Sequence, residues 1–201
     1  GGNETFAKAG AMIFARENVR KRLTGAVASL GLDGKPSPAA PAPAWPVITF
    51  IDGVDFHLND ETIRVFHVAP AHTDGDSMVW FVEPNILHMG DLFFNGIFPV
   101  IDLGSGGSVR GYLAVMKETY AKIDDKTVLI PGHGEIATKA DLAKQIAMLE
   151  GAIAAVDRHV KRGDSLEKTL AARPLKPWEK YAWTFIPEKS FTTTLYNGLK
   201  K

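Results

Sequence analysis

Residues 130–142, "IPGHGEIATKADL", set one histidine between two glycines, behind a proline and at the end of an apolar run. The preceding "TVLI" (127–130) reads as a buried strand. The following "TKADLAKQIAMLEGAIAAV" (138–156) carries an apolar stripe at helical spacing. His133 is therefore predicted on a tight turn where a sheet meets a helix. Glycines on both sides leave its imidazole uncrowded and let the backbone bend sharply. Such a histidine suits a metal ligand or a catalytic base; on the turn alone, an incidental turn histidine fits equally well.

Working outward, the central part of the chain is rich in strands and the later part in helices. "VITFI", "DFHLND", "ETIRVFHVA", "SMVWFVEP" and "NILHMG" read as strands, with a turn at Asn59 and Asp60. Helices are expected over residues 108–123 with Ser108 as N-cap, from Thr138 to about Arg162, and over 165–172 and 187–201. Nearer the start, a short helix with Asn3 as N-cap, a strand at "AMIFA" and a helix at "ENVRKRLTGAV" are expected. Residues 31–46, "GLDGKPSPAAPAPAWP", are too rich in proline for helix or central strand and read as a long surface loop. Strands in the middle with helices after them predict an α/β architecture in which helices cover a sheet. One domain over residues 1–201 is expected.

Composition narrows the chemistry. Among 201 residues, 45% are apolar and 23% charged, as in ordinary globular proteins. Basic and acidic residues are equal at 23 each, and no basic stripe stands out, which argues against a nucleic-acid partner. No apolar run approaches the roughly 20 residues that span a bilayer, so no membrane partner is expected. The chain has no cysteine, so any metal must be held by histidine and carboxylate side chains.

Three Gly-flanked segments each present such a donor at the end of an apolar run: "APAHTDGDS" with His72, "LHMGDLFF" with Asp91, and "IPGHGE" with His133. If the strands before them are neighbours, the three side chains converge at one edge of a sheet. Two imidazoles and a carboxylate suit zinc. Asp74 and Asp76 are candidates to orient an imidazole, though loop caps fit them better. His88 is expected to face away from the site, His57 and His67 to be structural, and His159 to sit on a solvated helix face. The aromatics of "DLFFNGIFP" fit a pocket wall and a packed core equally well.

"HTDGDS", "HMGD" and "PGHG", in this order and at these separations, resemble the metallo-β-lactamase superfamily of metal-dependent hydrolases. "GGNETFAKAGAMIFARENVRKRL" (1–23) resembles the segment just downstream of that family's HxHxDH motif. The resemblance implies a metallo-β-lactamase-like αβ/βα sandwich. It implies two zinc ions, with iron or manganese as alternatives. The position of His72 completes the ligands of the first metal, that of Asp91 bridges both, and that of His133 completes the second. It also implies hydrolysis of an ester, thioester, lactone or β-lactam in a small-molecule acyl substrate. Two close cations lower the pKa of a shared water from about 15.7 to about 7, and the resulting hydroxide attacks the carbonyl. Aspartate at position 91, rather than cysteine, looks more like the glyoxalase II and lactonase branches. HxHxDH itself does not occur among these residues. A segment carrying it is therefore expected upstream, and the 201-residue chain on its own is expected to be a poor hydrolase. The alternative is an inactive fragment or weak metal-binding module of the same fold. Homo-oligomerisation is left open.

Overall fold

The computed structural model describes residues 2–31 and 34–200. It contains six α-helices and seven strands among these residues, with three short 3-10 turns. The first part comprises α1 (Asn3–Lys8), β1 (Phe14–Arg16), α2 (Glu17–Leu23) and β2 (Ile48–Phe50), with β1 and β2 paired in parallel as a small separate sheet. The main sheet has five strands in sequential order: β3 (Gly53–Leu58), β4 (Glu61–His67), β5 (Ser77–Phe81), β6 (Ile86–Phe94) and β7 (Val128–His133). Neighbours are antiparallel except β6 and β7, which run parallel. A parallel pair needs a crossover, and α3 (Val109–Lys122) supplies it. The chain then continues through α4 (Lys139–Lys161), α5 (Leu166–Ala172) and α6 (Glu188–Leu199).

The helices form where apolar spacing and caps agree. Val109, Tyr112, Val115, Met116 and Thr119 make the buried stripe of α3, whose first turn is closed by the Ser108 hydroxyl accepting from Gly111 N at 3.0 Å. In α4, Thr138 and Asp141 form a reciprocal capping box, and Leu142, Leu149, Ala152 and Val156 face inward. Beside that cap the Asp141 carboxyl is pulled down to about 2, first by the Lys144 ammonium and then by the Thr138 hydroxyl. Leu87, Met89, Leu92 and Phe93 of β6 and Leu129 of β7 pack in one core with residues of α3, α4 and α6. The α/β reading, with helices over a sheet, matches this architecture.

Several boundaries differ from the sequence expectations. Gly2, not Asn3, occupies the N-cap of α1; Asn3 is the first helical residue, and its amide donates to the Ala44 carbonyl at 3.2 Å. The expected strand at residues 11–15 begins only at Phe14, and α2 ends at Leu23, four residues short of the expected 27. The proline-rich segment holds one 3-10 turn, Ala42–Ala44, opened by Pro41 and Pro43, because proline's fixed φ suits the first turn of a helix. Leu32 and Asp33 of that segment lie outside the described residues.

Burial is uneven. Phe6, Met12, Val47, Ile48, Ile51 and Leu58 are all largely exposed, whereas the cluster on β6, β7, α3, α4 and α6 is sealed. Leu129→Ala is therefore expected to cost about 2–5 kcal/mol, and Ile51→Ala, at a side chain 54% exposed, no more than about 0.5 kcal/mol. Urea unfolding of the two variants measures the contrast.

Candidate functional site

His72, Asp91 and His133 lie side by side. His72 Nε2 is 3.5 Å from one Asp91 oxygen, Oδ2, and His133 Nε2 is 3.5 Å from the other, Oδ1. The carboxylate thus sits between two imidazoles, one on each oxygen. Among the described residues, no group of three or more His, Cys, Asp or Glu side chains is assembled to hold a metal ion. Each histidine meets a different oxygen, so the arrangement is two donor pairs sharing one carboxylate, not a single closed triad.

The backbone explains how the three meet. The sequence suggests a strand end at Asp91, but β6 runs through it to Phe94. Pairing with β7 slips between His88 and Gly90 and again between Gly90 and Phe94. Gly90 has φ +52°, a left-handed conformation that costs glycine least. Such an irregularity re-aims side chains next to functional sites, and here Asp91 turns out of the alternation that buries Leu87 and Met89. His133, expected on the turn, is the last residue of β7. Its carbonyl accepts from Asn95 N at 2.9 Å, and the Asn95 amide donates to the Glu135 carbonyl at 3.0 Å, holding the bend from both sides of Gly134. Gly132 opens the space between the strands: a β-carbon there would land on Asp91 Oδ1 and lie 2.7 Å from the Gly90 carbonyl carbon.

His72 comes from the loop between β4 and β5. Its Nδ1 lies 2.9 Å from the Val100 carbonyl. A carbonyl only accepts, so Nδ1 carries a hydrogen and Nε2 is the nitrogen turned to Asp91. The loop is stiffened by Asp76, which accepts from Thr73 N (2.9 Å) and from the Thr73 hydroxyl (2.6 Å); burial raises the Asp76 pKa above the ordinary range. Asp74 forms a two-pronged pair with the Arg22 guanidinium of α2, which holds its carboxyl below the usual range. Both aspartates serve the loop and are bonded to neither imidazole. His88 is bonded within its own strand, its Nδ1 accepting from Gly90 N at 3.2 Å, and lies outside the cluster. His159 is a correction: it is half-buried, and its Nδ1 lies 3.0 Å from the shielded Asp164 carboxylate, because α4 ends there and Asp164 folds back under it.

The walls come from a part of the chain that the sequence does not mark as functional. Phe93, Phe94 and Phe98 of "DLFFNGIFP" are core residues, with only Phe94 touching the site: its ring stacks on His133 at 4.6 Å. Trp183 packs 5.7 Å from His133 and fixes its own ring by donating Nε1 to the Phe98 carbonyl at 3.0 Å. Trp183 and Phe185, with Val100 and Asp102, complete a cavity of about 490 Å³ over the three donors. "KYAWTFIPEK" has no helical or strand periodicity, so its aromatic content is the only signal that could have found them.

The sequence profile of the metallo-beta-lactamase superfamily matches residues 1–179. The chain belongs to this superfamily. Proteins of this superfamily are generally hydrolytic. An uncharacterized protein of Mycobacterium leprae is 34% identical over 101 residues, covering 50% of this chain and 45% of the relative. The chain thus spans about half the length of the curated relatives it matches. Solved structures share the fold, two of them as follows. A metallo-beta-lactamase from Pontibacter korlensis superposes with TM-score 0.58 at 15% identity, over 75% of this chain and 63% of that one. The sec-alkylsulfatase Pisa1 from Pseudomonas sp. also gives 0.58, at 14% identity, over 96% of this chain and 37% of that one. At such identities the likeness speaks for the superfamily fold alone.

If Gly132 is the gap that admits the carboxylate, Gly132→Ala should lower stability by about 1–3 kcal/mol through overpacking. It should also abolish any rise in thermal midpoint on adding zinc. Calorimetric melting with and without zinc reads both.

Proposed function

We propose that this chain carries part of a dinuclear metal site and serves the hydrolysis of an acyl bond in an ester, thioester, lactone or β-lactam. The observation that supports this reading is the Asp91 carboxylate flanked on its two oxygens by His72 and His133. The donor set fits zinc, with iron or manganese as alternatives, because it offers imidazole nitrogen and carboxylate oxygen and no thiolate. His72 and Asp91 would serve one ion, and Asp91 and His133 the other. Bound cations would acidify water and stabilise negative charge developing on the substrate.

The chain's own residues prepare that chemistry. The Val100 carbonyl fixes the tautomer and ring orientation of His72. Phe94 and Trp183 confine the His133 ring, so its free edge stays turned toward Asp91. Tyr112 is fully buried, which raises its pKa well above the ordinary value, and its hydroxyl donates to the Asp91 carbonyl at 3.1 Å. That bond pins the strand beneath the carboxylate. Trp183 and Phe185 cover one side of the cavity and shield an acyl carbonyl there from bulk water.

Each donor pair here has two protein ligands, whereas a catalytic zinc usually has three and a water. Calorimetric titration of the 201-residue chain should therefore give zinc binding no tighter than about 1 μM, or about 8 kcal/mol. Asp91→Ala removes the donor both pairs share and should abolish that binding. A panel of ester, thioester, lactone and β-lactam substrates, assayed with zinc, iron(II) and manganese(II), identifies the bond cleaved. Unchanged turnover in Asp91→Ala on any active substrate would sink the two-metal reading.

A further inference from the structure

A second cavity, about 410 Å³, adjoins the one over the donors and shares Val100 and Phe185 with it. Residues 99–101 form one bank. The other is the first two turns of α6, presenting Lys189, Ser190, Thr193 and Thr194. Taken together along these shared residues, the two cavities read as one trench with unlike ends. At the near end stand the donors His72, Asp91 and His133, the carboxylate of Asp102, and the aromatic faces of Trp183 and Phe185. At the far end the only charged side chain lining the trench, among the described residues, is the ammonium of Lys189.

Lys189 is in no ion pair among the described residues. Its neighbour Glu188 is engaged by Arg173, whose Nε and Nη2 donate to Glu188 Oε2 at 2.9 and 2.7 Å, so that carboxylate does not neutralise it. The Ser190 and Thr194 hydroxyls make no hydrogen bond among the described residues, and the Thr193 hydroxyl donates to the Lys189 carbonyl at 2.9 Å, leaving its lone pairs outward. An unneutralised cation beside free hydroxyl donors, separated by an apolar stretch from a site bearing carboxylates, is complementary to a ligand that is apolar in the middle and anionic at one end. These residues also lie beyond position 179, where the superfamily match ends, so membership of the superfamily does not by itself account for them.

We propose that the substrate carries an anionic group, received by Lys189 with Ser190 and Thr194, while its apolar portion lies over Trp183 and Phe185. Taking the cleaved acyl bond to sit at the near end rests on the hydrolase reading above; the trench and its polarity do not. In the metal-free chain Asp91 and Asp102 repel an anion from the near end and so set the direction in which the ligand lies. The carboxylate or phosphate of such a ligand would make a charge-assisted contact with the ammonium.

The trench can be tested apart from catalysis. The full chain, kept metal-free with a chelator, is titrated by calorimetry with 4-phenylbutyrate, 3-phenylpropyl phosphate and the neutral 4-phenylbutyramide. The wild type should bind at least one of the anions about tenfold more tightly than the amide. Which anion binds better tells carboxylate from phosphate recognition. Lys189→Glu should erase that preference, and Lys189→Arg should keep it. Melting curves of both variants establish that they are folded, which the exposed position of Lys189 favours. Equal affinity for anions and amide in the wild type, no binding of any probe, or a preference that survives Lys189→Glu would overturn the proposal. Because no metal is present, such a failure leaves the hydrolase reading standing. Conversely, a chain with the preference whose zinc binding survives Asp91→Ala keeps the trench and loses the two-metal reading.

Discussion

The irregular pairing of β6 with β7 is the constraint on which the site depends. A regular ladder would continue the alternation of Leu87 and Met89 and send the following side chains alternately to the core and away from it. The slip at Gly90, taken up by its left-handed backbone, breaks that alternation within the strand. The missing side chain at Gly132 makes room for the carboxylate that results. Two glycines on adjacent strands therefore place Asp91 within 3.5 Å of both histidines. The remaining devices are supports: the Val100 carbonyl under His72, the Phe94 ring under His133, and the Tyr112 hydroxyl under the Asp91 backbone.

The local signals in the sequence are strong where one residue's chemistry or one period dominates. The cap at Ser108, the long stripe of α4 and the three Gly-flanked donors are readable because each is decided by its immediate neighbours. Strand β6 reads too short in sequence because Gly-Asp after an apolar run has the composition of a turn. Only pairing with β7, a non-local event, keeps it extended through Asp91. Asn3 reads as the cap one position away from the real one because an N-cap preference competes with the side chain's tertiary bond to Ala44. Trp183 and Phe185 are invisible as site residues for a similar reason: nothing near them in sequence shows that their segment crosses over His133. His159 reads as solvated from its charged neighbours, yet those neighbours, Arg162 and Asp164, are what enclose it.

The two parts of the chain are stabilised differently. From β5 onward the elements share one buried cluster. The elements before β3, α1 to β2, fully bury little beyond Ala44 and Pro46, and Phe6, Met12, Val47 and Ile48 face outward. Yet this first part is tied to the site, since Arg22 of α2 holds Asp74 of the His72 loop. A disturbance among α1, β1, α2 and β2 would thus reach the His72 loop through the Arg22–Asp74 pair and through Val19, which packs against Gly75.

The parallel pairing within the main sheet also has a kinetic meaning. Strands β3 to β6 are joined as successive antiparallel neighbours, so each closes over a short stretch of chain. Strand β7 must wait for the whole of α3 to cross the sheet before it can dock on β6. Contacts between distant segments are the slow ones, because loop-closure entropy is lost before the contact repays it. Asp91 and His133 lie on the two sides of that last seam. During folding, the meander with its His72 loop can form before β7 brings His133 and orders the end of β6 that carries Asp91, so the complete cluster marks the docking of that last strand.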